Sequence, residues 1–209
     1  MPARSFITYR DPRELLVETE RTMEGIPSEE LFNDAAYQKL RERWCAAMFG
    51  IGYSKHVTSC EVAVNESRYR EDVDFFVRIA DVDWGFQLAE VLRSDRRRGE
   101  EYRKLMDGGT HLSPYQPGRG SHEGPDWLAK IVDKKIAKRY ASSNSLNLLL
   151  YANFEAAGLE YSNIQMRLAE YSPQFGSLWI ITSLHVCSVF STPSLGAVPG
   201  WGVVRDVRE

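Results

Sequence analysis

The chain has 209 residues, 43% of them hydrophobic, with a formal net charge of −3 and a pI near 5.9. That length and apolar share suffice for a single domain over residues 1–209 with a substantial core. The acidic balance excludes a generic polyanion binder, so any nucleic-acid contact must come from a local basic patch.

No stretch offers the roughly 18 uninterrupted apolar residues of a membrane span. The longest apolar run, residues 178–190, is broken by Thr182, Ser183, His185 and Ser188. Met-Pro-Ala-Arg-Ser at the N-terminus lacks the hydrophobic region of a secretory signal. Cys45, Cys60 and Cys187 are odd in number, form no CxxC pair and sit in apolar-leaning stretches. They read as reduced and buried, which suits a cytoplasmic protein with no membrane partner.

In chain order, Arg13 to Glu24 suits a short surface helix. Pro27-Ser28-Glu29-Glu30 looks like a helix start, with Ser28 as the cap and two acids at the positive end of the dipole. Ala36, Leu40, Trp44 and Met48 then mark one apolar stripe, and Gly50 and Gly52 are expected to stop the helix. Residues 57–65 read as a first strand. Residues 72–80 alternate with a clean period of two: Val73, Phe75, Val77 and Ile79 on one face, Asp72, Asp74, Phe76 and Arg78 on the other. Asp81-Val82-Asp83 suits a tight turn into a third strand, residues 84–92. Residues 93–106 are heavily charged and include Arg96-Arg97-Arg98. Residues 107–125 form a long Gly-, Pro- and Ser-rich segment carrying His111 and His122, whose spacing fits no standard zinc pattern. A helix over 126–140 is expected, capped by Asp126. Its apolar stripe is Leu128, Val132, Ile136 and Tyr140, and Lys130, Lys134 and Lys138 form a parallel basic stripe. Residues 146–154, nearly continuous in apolar character, read as a central strand covered on both faces. Residues 162–172 suit a short helix, 178–190 a long extended segment, and the tail from Ser191 an irregular one.

The chemistry concentrates on the second and third strands. Asp72 and Asp74 on one, and Glu90 on the other, place acid on otherwise apolar surfaces. Such groups are costly unless a metal or a cation holds them. The bland alternatives are that Asp72 and Asp74 mark a strand start and that Glu90 pairs with Arg78 across the sheet. Arg96–Arg98 and the lysine stripe are solvated surface on the plain reading and phosphate contacts on the functional one. No Gly-rich phosphate loop, GxSxG or HExxH occurs, which counts against NTPase, α/β-hydrolase and zincin chemistry.

The order helix, three strands, helix, strand over residues 28–154, with these acids, resembles the core of the PD-(D/E)xK nuclease superfamily. The resemblance implies an α+β sandwich with a central mixed sheet and a restriction-endonuclease-like core over 28–154, flanked by peripheral segments 1–27 and 191–209. It implies Mg²⁺ held by Asp74 and Glu90, and metal-dependent cleavage of nucleic-acid phosphodiesters. The family's lysine two residues after the second acid falls on Leu92. An alternative alignment puts Gln87 in the acidic slot and Ala89 in the lysine slot. Some members carry the lysine on the neighbouring helix, so Lys134, or Lys130, is expected to supply it. Glu30 or Glu42 on the first helix could add a ligand, or be solvated surface. Arg96, Arg97, Arg98, Lys130 and Lys138 are then expected to contact nucleic acid. An inactive binding or assembly module of the same fold is the alternative. Nucleic acid and a further copy of the chain are the expected partners.

Overall fold

The computed structural model describes residues 7–66, 72–91, 119–138, 146–152, 158–196, 198 and 200–204. Helix α1 spans Pro12–Met23. The Asp11 carboxylate caps it, accepting from the N–H groups of Arg13 at 2.8 Å and Glu14 at 3.2 Å. Pro12 takes the first helical position, where its missing N–H leaves no bond unmade.

The helix expected from Ser28 onward is interrupted. Helix α2 covers only Ser28–Asn33, with Pro27 rather than Ser28 at the cap position. Asp34 then turns extended, and its carboxylate takes the Ala36 N–H at 2.8 Å. A 3₁₀ turn, Ala35–Tyr37, leads into helix α3, Gln38–His56. Gly50 and Gly52 do not end α3; they lie inside it. A Cβ on Gly50 would come within 2.7 Å of Pro12 Cγ, and one on Gly52 within 2.6 Å of Val186 and Val204 methyl carbons. The glycines let α3 lie close on its neighbours.

Seven strands follow: β1 Glu61–Val64, β2 Phe75–Ile79, β3 Val82–Val91, β4 Asn147–Ala152, β5 Ser177–Ile181, β6 His185–Phe190 and β7 Gly202–Val203. They form one mixed sheet in chain order. β1, β2 and β3 are antiparallel, β3, β4 and β5 are parallel, and β5, β6 and β7 are antiparallel again. Parallel neighbours need crossovers. Helix α4, Arg119–Ala137, lies between β3 and β4 in the chain, and helix α5, Tyr161–Leu168, between β4 and β5. The expected order of helix, three strands, helix and strand is therefore present as α3, β1, β2, β3, α4 and β4.

The result is an α+β sandwich with helices on both faces of a mixed sheet. Phe75, Phe86, Leu149, Trp179 and Ile181 pack with α1 and α3. Leu148, Leu150, Leu178 and Ile180 pack with α4 and α5. Alternate residues of β4 thus enter different cores, which explains its continuous apolar sequence.

Three boundaries differ from expectation. The apolar run 178–190 is a hairpin, because the Thr182 hydroxyl accepts from Leu184 N at 3.1 Å and His185 N at 2.9 Å and folds the chain back. Helix α4 starts seven residues before Asp126, which pairs with Arg167 at 2.9 Å instead of capping. The β2–β3 hairpin turns on Ala80 and Asp81, with φ of 46° and 67°, the left-handed pair of a two-residue turn.

Candidate functional site

The site begins with a mismatch in strand length. β2 starts at Phe75, which pairs with Phe86, while β3 continues five residues further to Val91. Beyond Phe86, β3 keeps its partner β4 on one edge and passes the end of β2 on the other. Asp74 fills that notch. Its backbone N–H donates to Phe86 O at 2.8 Å, and its Oδ2 accepts the Leu88 N–H at 2.7 Å. The side chain substitutes for a ladder partner, so its position is fixed by the sheet.

Helix α4 delivers Lys135 to the same stretch of β3. Its Nζ donates to Gln87 Oε1 at 2.6 Å and to Leu88 O at 3.0 Å. Asp74 and Lys135 are therefore both anchored on the main chain of Leu88. Burial pulls the Lys135 amine below the ordinary lysine range. Asp74 and Glu42 oppose that shift, and Lys138 adds to it.

These groups line a cavity of about 490 Å³. Asp74, Gln87, Leu88 and Glu90 enter from the sheet, and Lys135 and Lys138 from the α4 side. Glu42 enters from α3 and is only 4% exposed. Gln38 Nε2 donates to its Oε1 at 2.8 Å, and Lys39 Nζ to its Oε2 at 2.6 Å. Glu42 is therefore buried rather than solvated helix surface, whereas Glu30 is exposed. Arg41, also lining the cavity, donates to the carbonyls of Leu31 and Asp34 and ties the end of α2 to α3.

The structure brings Asp74 and Glu90 to one cavity. Glu90 is exposed rather than set deep in the strand, while Gln87 on the same strand is buried. Lys130 and Lys134 are exposed on α4, away from the cavity lining, whereas Lys138 belongs to it. Arg78 pairs with Asp83, its register partner, at 2.8 and 3.2 Å, and stacks 3.5 Å over the Tyr9 ring. Glu123 pairs with Arg119 at 2.8 Å, beside an exposed His122. Arg96, Arg97, Arg98 and His111 lie outside the described residues.

Sequence reasoning singled out neither Lys135 nor the burial of Gln87 and Glu42. A signal for Lys135 was present. It lies seven residues after Leu128 and three after Val132, both buried, so it falls on the core-facing stripe of α4. A lysine on that stripe needs a partner.

Asp74 and Glu90 supply hard oxygen donors to one cavity, which fits Mg²⁺, an ion commonly bound by one or two carboxylates with waters and a substrate phosphate. Among the described residues, no group of three or more His, Cys, Asp or Glu side chains forms a metal cluster. Also among them, no helix is long and apolar enough to cross a membrane. No family model, curated protein or solved structure matches the chain.

Proposed function

We propose that the chain is a divergent member of the PD-(D/E)xK nuclease superfamily that cleaves nucleic-acid phosphodiesters with Mg²⁺. The observation that carries this reading is the convergence of Asp74 and Lys135 on Leu88, where β3 outruns β2. Asp74 and Glu90 are the metal-holding pair. Bound there, Mg²⁺ would polarise a phosphate and acidify a water.

The chain's own groups do the rest. Asp74 is oriented by the Leu88 N–H rather than by a flexible side chain. Lys135 takes the role expected of Lys134. Its ammonium faces phosphate charge as a point cation, and its lowered pKa brings proton exchange closer to neutral pH. Gln87 brings no negative charge to the site; it holds the amine at 2.6 Å. The three free cysteines are buried, in keeping with a cytoplasmic setting.

A second reading, a catalytically silent nucleic-acid-binding module of the same fold, is favoured by one observation. The amide of Gln87 occupies the place of an acid in one alignment of the motif, and it is already engaged by Lys135.

Thermal melting with and without Mg²⁺ tests the metal site. Wild type should be stabilised, by about 2.7 kcal/mol when Mg²⁺ is at roughly one hundred times its Kd. Asp74→Asn keeps an acceptor for Leu88 N–H and should fold, but lose the response. An unresponsive wild type would remove the metal from both readings. A metal response without cleavage of any DNA or RNA would select the silent module.

A further inference from the structure

The cavity wall mixes charge with aromatic surface. Asp74, Glu90, Lys135 and Lys138 supply the charge. Trp44 and Tyr151, whose ring centroids lie 5.4 Å apart at 57°, supply an aromatic wall with Phe32 and Leu31 from α2, and Tyr151 is the register partner of Glu90. Trp44 and Tyr151 are only half-buried, so their rings are core wall on one side and cavity wall on the other.

We infer that this cavity takes one unpaired nucleotide, its phosphate toward Lys135 and Lys138 and its base against the Trp44–Tyr151 pair. The inference rests on the nucleic-acid reading above and names its substrate class: single-stranded nucleic acid or a frayed strand end, not an intact duplex. Three considerations carry it. The volume of about 490 Å³ falls within the roughly 300–1,000 Å³ of sites that enclose a small molecule. Aromatic side chains stack any base through its π-face without reading its edges. A paired base is stacked inside its helix and cannot lay its face on the aromatic wall unless it leaves the stack. Lys138, and Lys135 with the one ammonium proton not given to Gln87 and Leu88, suit the phosphate, and Arg41 donates to the carbonyls of Leu31 and Asp34.

The test is fluorescence anisotropy in millimolar Ca²⁺, an oxygen-binding ion that fills the metal site in place of Mg²⁺, with three labelled probes of equal length: a single-stranded oligothymidylate, the same strand with abasic sites throughout, and a blunt duplex. Wild type should bind the single strand at least about 10-fold more tightly than the other two. Trp44→Leu should lose about 5- to 150-fold on the oligothymidylate and little on the abasic strand. Tyr151→Leu provides the same comparison should Trp44→Leu fail to fold, and the wild-type probe comparison needs no variant. Equal binding of all three probes would overturn the base subsite and leave the nucleic-acid reading standing. Binding of none would overturn both.

Discussion

Asp74 shows how far a single residue could be read from the sequence. An acid on the apolar alternation of β2 is conspicuous, and the structure puts it in the notch between strands of unequal length. Lys135 was harder to see. Three neighbouring lysines formed a stripe at i+4 spacing, and that regularity drew attention to Lys134. The half-buried lysine lies one residue further on, where the helical phase of Leu128 and Val132 points inward. Gln87 was visible only as a mismatch in an alignment, because its value lies in a bond to a helix 48 residues away. The cysteines yield a testable consequence at the same scale. Burial, with Asp11 and Glu61 nearby, pushes the Cys60 thiol up to about 11, against a smaller opposing contribution from the Ser54 hydroxyl. The folded pKa exceeds the unfolded one, so this contribution is fully present below pH 9 and lost as pH rises toward 11. Tyr53, pushed up by burial to about 12, adds a decline at higher pH. Guanidinium midpoints across this range should fall for wild type and fall less for Cys60→Ala, by about 2 kcal/mol of stability. Parallel declines in the two proteins would show that the thiol is not held neutral by the fold.

At the scale of elements, strands with a period of two were the most legible, and helix ends the least. The reason is visible at α3. Glycine ordinarily signals a stop because it frees the backbone, yet Gly50 and Gly52 serve packing there. Only the tertiary partners, Pro12 on one side and Val186 with Val204 on the other, distinguish the two uses. Gly52→Ala should therefore destabilise by about 1–3 kcal/mol, since overpacking outweighs the gain of up to about 1 kcal/mol in helix propensity. Urea denaturation checks the sign, and a stabilised variant would mean that β6 and the tail yield easily. The hairpin at Thr182 was hidden for a related reason. The interiors of its two strands are both buried, and one hydroxyl makes the turn.

For the whole molecule, the α+β sandwich followed from the alternation of helical and extended segments. The sheet order is not legible in the sequence, although it is the simplest available, each strand lying beside its successor. That order has a functional consequence. Placing β3 between a short antiparallel neighbour and a parallel one leaves its far end, among the described residues, without a strand partner on one edge, where Asp74 sits instead. The two helical layers meet there: α3 brings Glu42 and Trp44 to the cavity, and α4 brings Lys135. Neither layer alone holds both an acid from the sheet and an amine. The proposed chemistry is therefore a property of the assembled sandwich, and it stands or falls with the amine. The most direct measurement is hydrolysis of a labelled single-stranded oligonucleotide in millimolar Mg²⁺ by wild type and by Lys135→Met, with EDTA as the control. Metal-dependent cleavage by wild type that drops roughly 10²- to 10⁴-fold in the folded variant is the predicted result. Cleavage undiminished in Lys135→Met, or none by wild type in any divalent metal, would contradict it.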